Sequence, residues 1–149
     1  SGKNTSGFDM IRMIALGADV IHSARAMMLA LGCIQSKQCG NNTCPVGVAT
    51  QNPRLFKQLD IEDKAERVYN YHTATVKNFV ELVGAMGLAN PSDILPSSVM
   101  RRISDHEVRY FDEIYDFIES GCLLNDATIP ARYRRFWEAA TPDTFSFVH

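Results

Sequence analysis

The sequence predicts an α/β piece that passes through a cysteine-rich loop into a mainly helical tail. Three observations carry that reading. Residues 1–32 run as loop, helix, β-branched segment, loop and helix. Residues 33–51 hold three of the four cysteines. Beyond Asp60, apolar residues recur at threes and fours, the period of a helix with one buried side.

The first elements follow from local signals. Ser1-Gly2-Lys3 reads as a loop that a strand should precede. Ser6 is a good N-cap for a helix over Phe8–Leu16. Phe8, Ile11, Met13, Ile14 and Ala15 give that helix an apolar side, and Gly17 follows as its C-cap. Ala18 to Ser23 is short and β-branched enough for a buried strand. A second helix runs from Arg25 to about Leu31 and ends at Gly32. The order is that of one βα unit in a parallel α/β fold, its first strand expected upstream.

The loop reads CIQSKQCGNNTCPVGVATQ from Cys33 to Gln51, with spacing Cys33-x5-Cys39-x4-Cys44. The residues between the cysteines are Ile, Gln, Ser, Lys, Gly, Asn and Thr without apolar period, so the segment wraps rather than packs. Gly40 and the two asparagines are expected to supply the positive φ values of a tight wrap. Thiolates are soft ligands that select iron–sulfur clusters, zinc or Cu(I). Structural zinc favours closer cysteine pairs or a histidine pair, and no histidine lies between Ser23 and His72. A disulfide framework suits small secreted chains. Three unrelated buried cysteines are the remaining alternative. Pro45 follows the last cysteine, as Pro follows the last cysteine of the bacterial ferredoxin run.

The stretch ALGCIQSKQCGNNTCPVGVATQNP resembles the cluster motif of the FMN-binding domain of glutamate synthase. That family shows Gly-Cys, five residues, Cys, four residues, then Cys-Pro-Val-Gly-Val-Ala-Thr-Gln. The resemblance is best from Ser1 to about Gln51, fair to about Ile94 and thin beyond. It implies a three-iron, four-sulfur (3Fe-4S) cluster held by Cys33, Cys39 and Cys44, beside an FMN at the mouth of a (β/α)8 barrel. The chain is then the C-terminal fragment of a TIM-type barrel. Residues 1–32 are the closing βα unit, 33–52 the iron–sulfur loop and 53–149 the helical C-terminal region. The last third looks more like the tail of stand-alone FMN-binding relatives than of the large multidomain enzyme.

The barrel placement has chemical content. Such barrels bind phosphate with the loops after strands seven and eight and a helix N-terminus. Here those parts would be Gly2 and Lys3 in one loop and Ser23, Ala24 and Arg25 in the other. The Arg25 guanidinium could grip two phosphate oxygens. The alternative is a surface Lys and Arg without a ligand. The large glutamate synthases carry Gly-Thr where this chain has Ala24-Arg25, so backbone contacts carry over more securely than side-chain ones. Lys37, inside the loop, is placed to offset cluster charge.

Asp60 N-caps the next helix, with Asp63 three residues on. Ile61, Ala65, Val68, Tyr69, His72, Val76, Phe79, Val80, Val83 and Met86 make one long amphipathic helix that Gly87 ends. His72 is expected half-buried and satisfied rather than as a ligand. Val99–Ile103 reads as a brief helix and Glu107–Glu119 as another. Cys122 is expected to be a small buried hydrophobe, a fourth cluster ligand being the alternative. Pro130 opens a last helix to about Ala140. Arg132, Arg134 and Arg135 read as its solvated face, and Phe136 and Trp137 as anchors. Phe145 and Phe147 need cover.

The bulk numbers set limits. The chain has 149 residues, 46% of them hydrophobic, enough for a sizeable core, and a formal net charge of −2. No nucleic-acid footprint, charged leader or membrane-spanning apolar run is visible. Thiols kept for a metal imply a reducing, cytoplasmic setting. The expected role is part of an FMN- and cluster-dependent oxidoreductase. The reaction implied by the resemblance is reductive formation of L-glutamate from 2-oxoglutarate and nitrogen from glutamine or ammonia. The expected partners are the upstream remainder of the barrel and an electron donor protein or subunit. A non-catalytic helical module binding zinc or a cluster is the alternative.

Overall fold

A computed structural model describes residues 4–144. Gly2 and Lys3, and the C-terminal Phe145 and Phe147, lie outside the described residues. The chain separates into a larger unit that runs through Phe111 and a smaller one that starts at Asp112.

In the larger unit, α1 (Gly7–Ala15) starts where Ser6 predicts. The Ser6 hydroxyl accepts the Asp9 N–H at 3.2 Å, and the Asp9 carboxylate accepts the Ser6 N–H at 3.2 Å. Two orphan donors of the first turn are thereby satisfied reciprocally. Leu16 caps the other end, and Gly17 takes φ +98, a value that favours glycine. Helix α2 (Arg25–Ala30) stops before Gly32, at φ +103. Helix α3 (Pro53–Phe56) is one turn, capped by Asn52. Helix α4 (Ile61–Ala85) is N-capped by Asp60, whose side chain accepts the Asp63 N–H at 3.0 Å.

Both α1 and α2 pack on α4. Ile11 and Ala15 of α1, Ala26 of α2, and Phe79 and Val83 of α4 are buried. Gly7 sets how close α1 comes. A Cβ there would lie 2.5 Å from the Phe79 nitrogen and 2.6 Å from Asn78 Oδ1. The Tyr71 hydroxyl adds a hydrogen bond to the Thr5 carbonyl at 2.7 Å. The covered side of α4 runs through the half-buried Val68, Tyr71 and Thr75 to the buried Phe79 and Val83, while Ile61 is 81% and Tyr69 68% exposed.

Three expectations need correction here. Ala18–Ser23 forms no strand among the described residues, and Val20 is 69% exposed. A strand needs a neighbour for its N–H and C=O groups, and none of the described residues pairs with this one. Val99–Ile103 and Glu107–Glu119 are not helices either. Met100–Arg102 (β1) and Val108–Tyr110 (β2) form an antiparallel hairpin, with Met100 opposite Tyr110 and Arg101 opposite Arg109. The Phe111 N–H donates to the Val99 carbonyl at 3.0 Å, and both side chains are buried. A hairpin brings those two apolar residues together at its base. After it comes a single helical turn, α5 (Phe111–Ile114).

The smaller unit is built on hydrogen-bonded turns over Cys122–Leu124 and Asp126–Thr128, followed by α6 (Ala131–Ala139) after Pro130. Ile129 is buried. The arginines of α6 are not simply a solvated face. Arg132 pairs with the Asp116 carboxylate. The Arg134 guanidinium donates to the Asp126 carbonyl at 3.1 Å, and Trp137 Nε1–H donates to the Asp126 carboxylate at 3.3 Å. These bonds tie α6 to its own turns. Among the described residues no helix is long and apolar enough to cross a membrane.

Candidate metal centre

The cysteine loop hangs between the end of α2 and the start of α3. Cys33 closes α2, its N–H donating to the Met28 carbonyl at 3.0 Å. Cys39 opens a short 3-10 turn that ends at Asn42. Cys44 is buried, Cys33 half-buried and Cys39 exposed. All are free thiols.

Of the loop residues expected to take positive φ, only Asn42 does; the other positive values there fall on residues outside that expectation. Gln35, Lys37 and Asn42 adopt φ of 58°, 60° and 59°, and Gly47 takes 77°. Gly40 does not. Of the two asparagines only Asn42 is left-handed. A Gln or Lys there costs on the order of 1–3 kcal/mol, so the Ile34–Lys37 stretch is the strained part of the loop. Lys37 is exposed.

The second half of the loop is moored to α3. A Cβ on Gly47 would stand 2.5 Å from the Leu55 carbonyl oxygen. Only glycine satisfies both that approach and that φ. The main-chain N–H of Ala49, and those of Val46, Val48 and Gly47, hold the Cys44 thiol below its usual pKa range, while burial opposes them. Hydrogen bonds to a thiolate favour the charged form that binds metal.

Three reduced thiols, one of them ringed by N–H donors, are the donor set an iron–sulfur cluster needs. Their chemistry fits the group. Among the described residues, however, no three His, Cys, Asp or Glu side chains converge on a common point. The loop therefore presents its thiols separately. Cys122 is half-buried in the smaller unit.

The expected phosphate residues are placed in part. Ser23 Oγ–H donates to the Asn4 carbonyl at 3.0 Å, and the Asn4 side-chain amide donates to the His22 carbonyl at 3.2 Å. These bonds set the segment after Lys3 beside the segment before α2. Ala24 takes the N-cap position of α2 without a side-chain cap, and Arg25 is exposed at its first residue. Sequence reasoning missed Tyr71 and misjudged His72. Both line a cavity of about 150 Å³ with Asn4 and Ser23. His72 is exposed rather than half-buried. A Tyr in the middle of a helical repeat carries no signal for a bond to a residue 66 positions away.

The conserved region in glutamate synthase matches residues 1–89. The chain belongs to the glutamate synthase family. All three loop cysteines lie inside the matched region and Cys122 lies outside it. Among curated glutamate synthase relatives, the large subunit-like protein YerD of Bacillus subtilis (strain 168) is 37% identical over 119 residues, which is 79% of this chain and 23% of YerD. The archaeal glutamate synthase (NADPH) of Methanocaldococcus jannaschii is 42% identical over 88 residues, 59% of this chain and 17% of that protein. The glutamate synthase (NADPH) large chain of Bacillus subtilis is 36% identical over 86 residues, 58% of this chain and 6% of that one. The chain thus spans under a quarter of these glutamate synthase relatives. No solved structure matches it.

Proposed function

We propose that this chain is the C-terminal part of the FMN-binding region of a glutamate synthase-type oxidoreductase. In this reading Cys33, Cys39 and Cys44 hold a 3Fe-4S cluster. Gly2, Lys3, Ser23, Ala24 and Arg25 supply part of an FMN phosphate site, and residues 1–32 close a barrel whose other strands lie upstream. The observation that carries the reading is the family match over residues 1–89, which contains the whole three-cysteine loop. When bound, FMN supplies hydride transfer and the cluster one-electron transfer. The chain's own part is to hold and tune them. Cys44 offers a thiol already biased toward the thiolate. The first turn of α2 offers N–H groups with no side-chain cap. The proposed reaction makes L-glutamate from 2-oxoglutarate and glutamine- or ammonia-derived nitrogen, with electrons from a donor protein or subunit.

The test is iron and acid-labile sulfide analysis with low-temperature EPR on anaerobically purified protein. Iron, sulfide and an oxidised three-iron signal are expected. A colourless protein with stoichiometric zinc would replace this reading with that of a helical metal-binding module.

A further inference from the structure

The loop holds one residue whose bonds reach across it. Asn42 accepts from both sides of the chain that returns toward α3. Its main-chain carbonyl accepts the Thr50 Oγ–H at 2.6 Å, and its side-chain Oδ1 accepts the Gln51 N–H at 2.5 Å. Thr50 Oγ1 accepts in turn from the Asn52 N–H at 3.1 Å, and Asn52 caps α3 through the Arg54 N–H at 3.0 Å. The chain of bonds thus runs from the turn between Cys39 and Cys44 into a helix. Both groups of Asn42 face this way because its backbone is left-handed, φ 59° and ψ 25°. Asn tolerates that conformation better than other non-glycine residues. Asn42 is exposed and takes no part in the packing of α1, α2 and α4, so its removal need not unfold the chain.

We propose that Asn42 is the positioning residue of the cysteine loop. It fixes the turn between Cys39 and Cys44 against Thr50 and Gln51, so that two of the three thiols keep a set spacing before any metal arrives. The role rests on the cluster site proposed above. It divides the loop by function. Cys39 and Cys44 belong to a moored half, and Cys33 to a separate anchor at the end of α2. The strained Ile34–Lys37 stretch joins them and leaves the cysteines free to converge on a cluster.

The test compares Asn42→Ala, Asn42→Gly and Asn42→Asp in the full-length protein, purified anaerobically beside wild type. Glycine keeps the left-handed backbone and the main-chain carbonyl and removes the side-chain acceptor of the Gln51 N–H. Alanine removes that acceptor and the left-handed preference. Aspartate keeps both. Two readouts are taken: iron, sulfide and EPR signal per chain, and hydrogen exchange of the Gln51 amide in the iron-free protein. Alanine and glycine are expected to lose iron several-fold and to exchange Gln51 at least tenfold faster. Aspartate is expected to restore both. Wild-type iron, sulfide and EPR signal in the alanine and glycine variants would overturn the positioning role while leaving the cluster site intact. So would a Gln51 amide that exchanges freely in wild type. Wild-type protein without iron would overturn the cluster site, and the role of Asn42 with it.

Discussion

Cys44 and Cys122 show how burial alone misleads about a cysteine. Both are at least half covered, yet only Cys44 sits among main-chain N–H donors. Serine is a poor substitute for a soft thiolate. In full-length protein, Cys33→Ser, Cys39→Ser or Cys44→Ser is expected to cost most of the bound iron, whereas Cys122→Ser keeps it. Iron analysis after anaerobic desalting reads the result, and equal loss from Cys122→Ser would make the site four-liganded. The three cysteines and their spacing were plain in the sequence. The mooring of the loop was not. A positive φ at Asn42 was within reach of the sequence, but its bonds to Thr50 and Gln51 and the Gly47 pressed on α3 depend on where the chain returns, which spacing does not encode.

At the scale of elements, caps and periodicity were legible because they are local. Ser6 with Asp9, Gly17 and Asp60 mark the ends of α1 and the start of α4 within a turn of their predicted places. The hairpin was not legible. Met100 and Ile103, and Val108, Phe111, Ile114, Tyr115 and Ile118, repeat at threes and fours, a helical signal. Short apolar runs are ambiguous, and pairing across the turn overrode the pattern.

The cap on α1 gives a pH prediction. Asp9 is held below its ordinary pKa of 3.8, chiefly by the Thr5 N–H, with help from the Thr5 and Ser6 hydroxyls and Arg12 and against partial burial. A lowered folded pKa stabilises above the ordinary value and is lost as pH falls through the folded one. The Tm advantage of wild type over Asp9→Asn is therefore expected in full well above pH 3.8 and to be lost as pH falls below 3.8 through the lower folded-state pKa. A gap that persists in acid would assign the effect to geometry rather than charge. Gly7 gives a packing prediction. Alanine gains helix propensity of up to about 1 kcal/mol over glycine. Its Cβ meets backbone of α4 that no rotamer change can clear, and overpacking costs roughly 1–3 kcal/mol. Gly7→Ala is expected to lower stability in chemical denaturation, and a more stable variant would mean that α1 and α4 separate easily.

For the whole molecule, the informative segment is Ala18–Ser23. Among the described residues nothing accepts from the N–H groups of Val20 and Ile21. Hydrogen exchange of the 149-residue chain should show those amides fast, and the same amides slow in a longer protein that supplies the neighbouring strands. Slow exchange in a proven monomer of this chain would remove the need for a barrel upstream. The 119 residues that align with YerD cover 23% of that protein.

The bond from Tyr71 to Thr5 joins residues 66 apart. Folding the larger unit therefore means closing a long loop that contains every proposed cluster ligand. The entropy of closure grows only as the logarithm of loop length, about 0.6 kcal/mol for each doubling. Ten extra residues would add only about 0.1 kcal/mol. An insertion of ten Gly and Ser residues between Leu59 and Asp60, beyond α3 and before the cap of α4, should leave Tm nearly unchanged. The α1–α4 scaffold can thus carry connections of different lengths between α3 and α4 on one frame, and variation there costs the fold almost nothing.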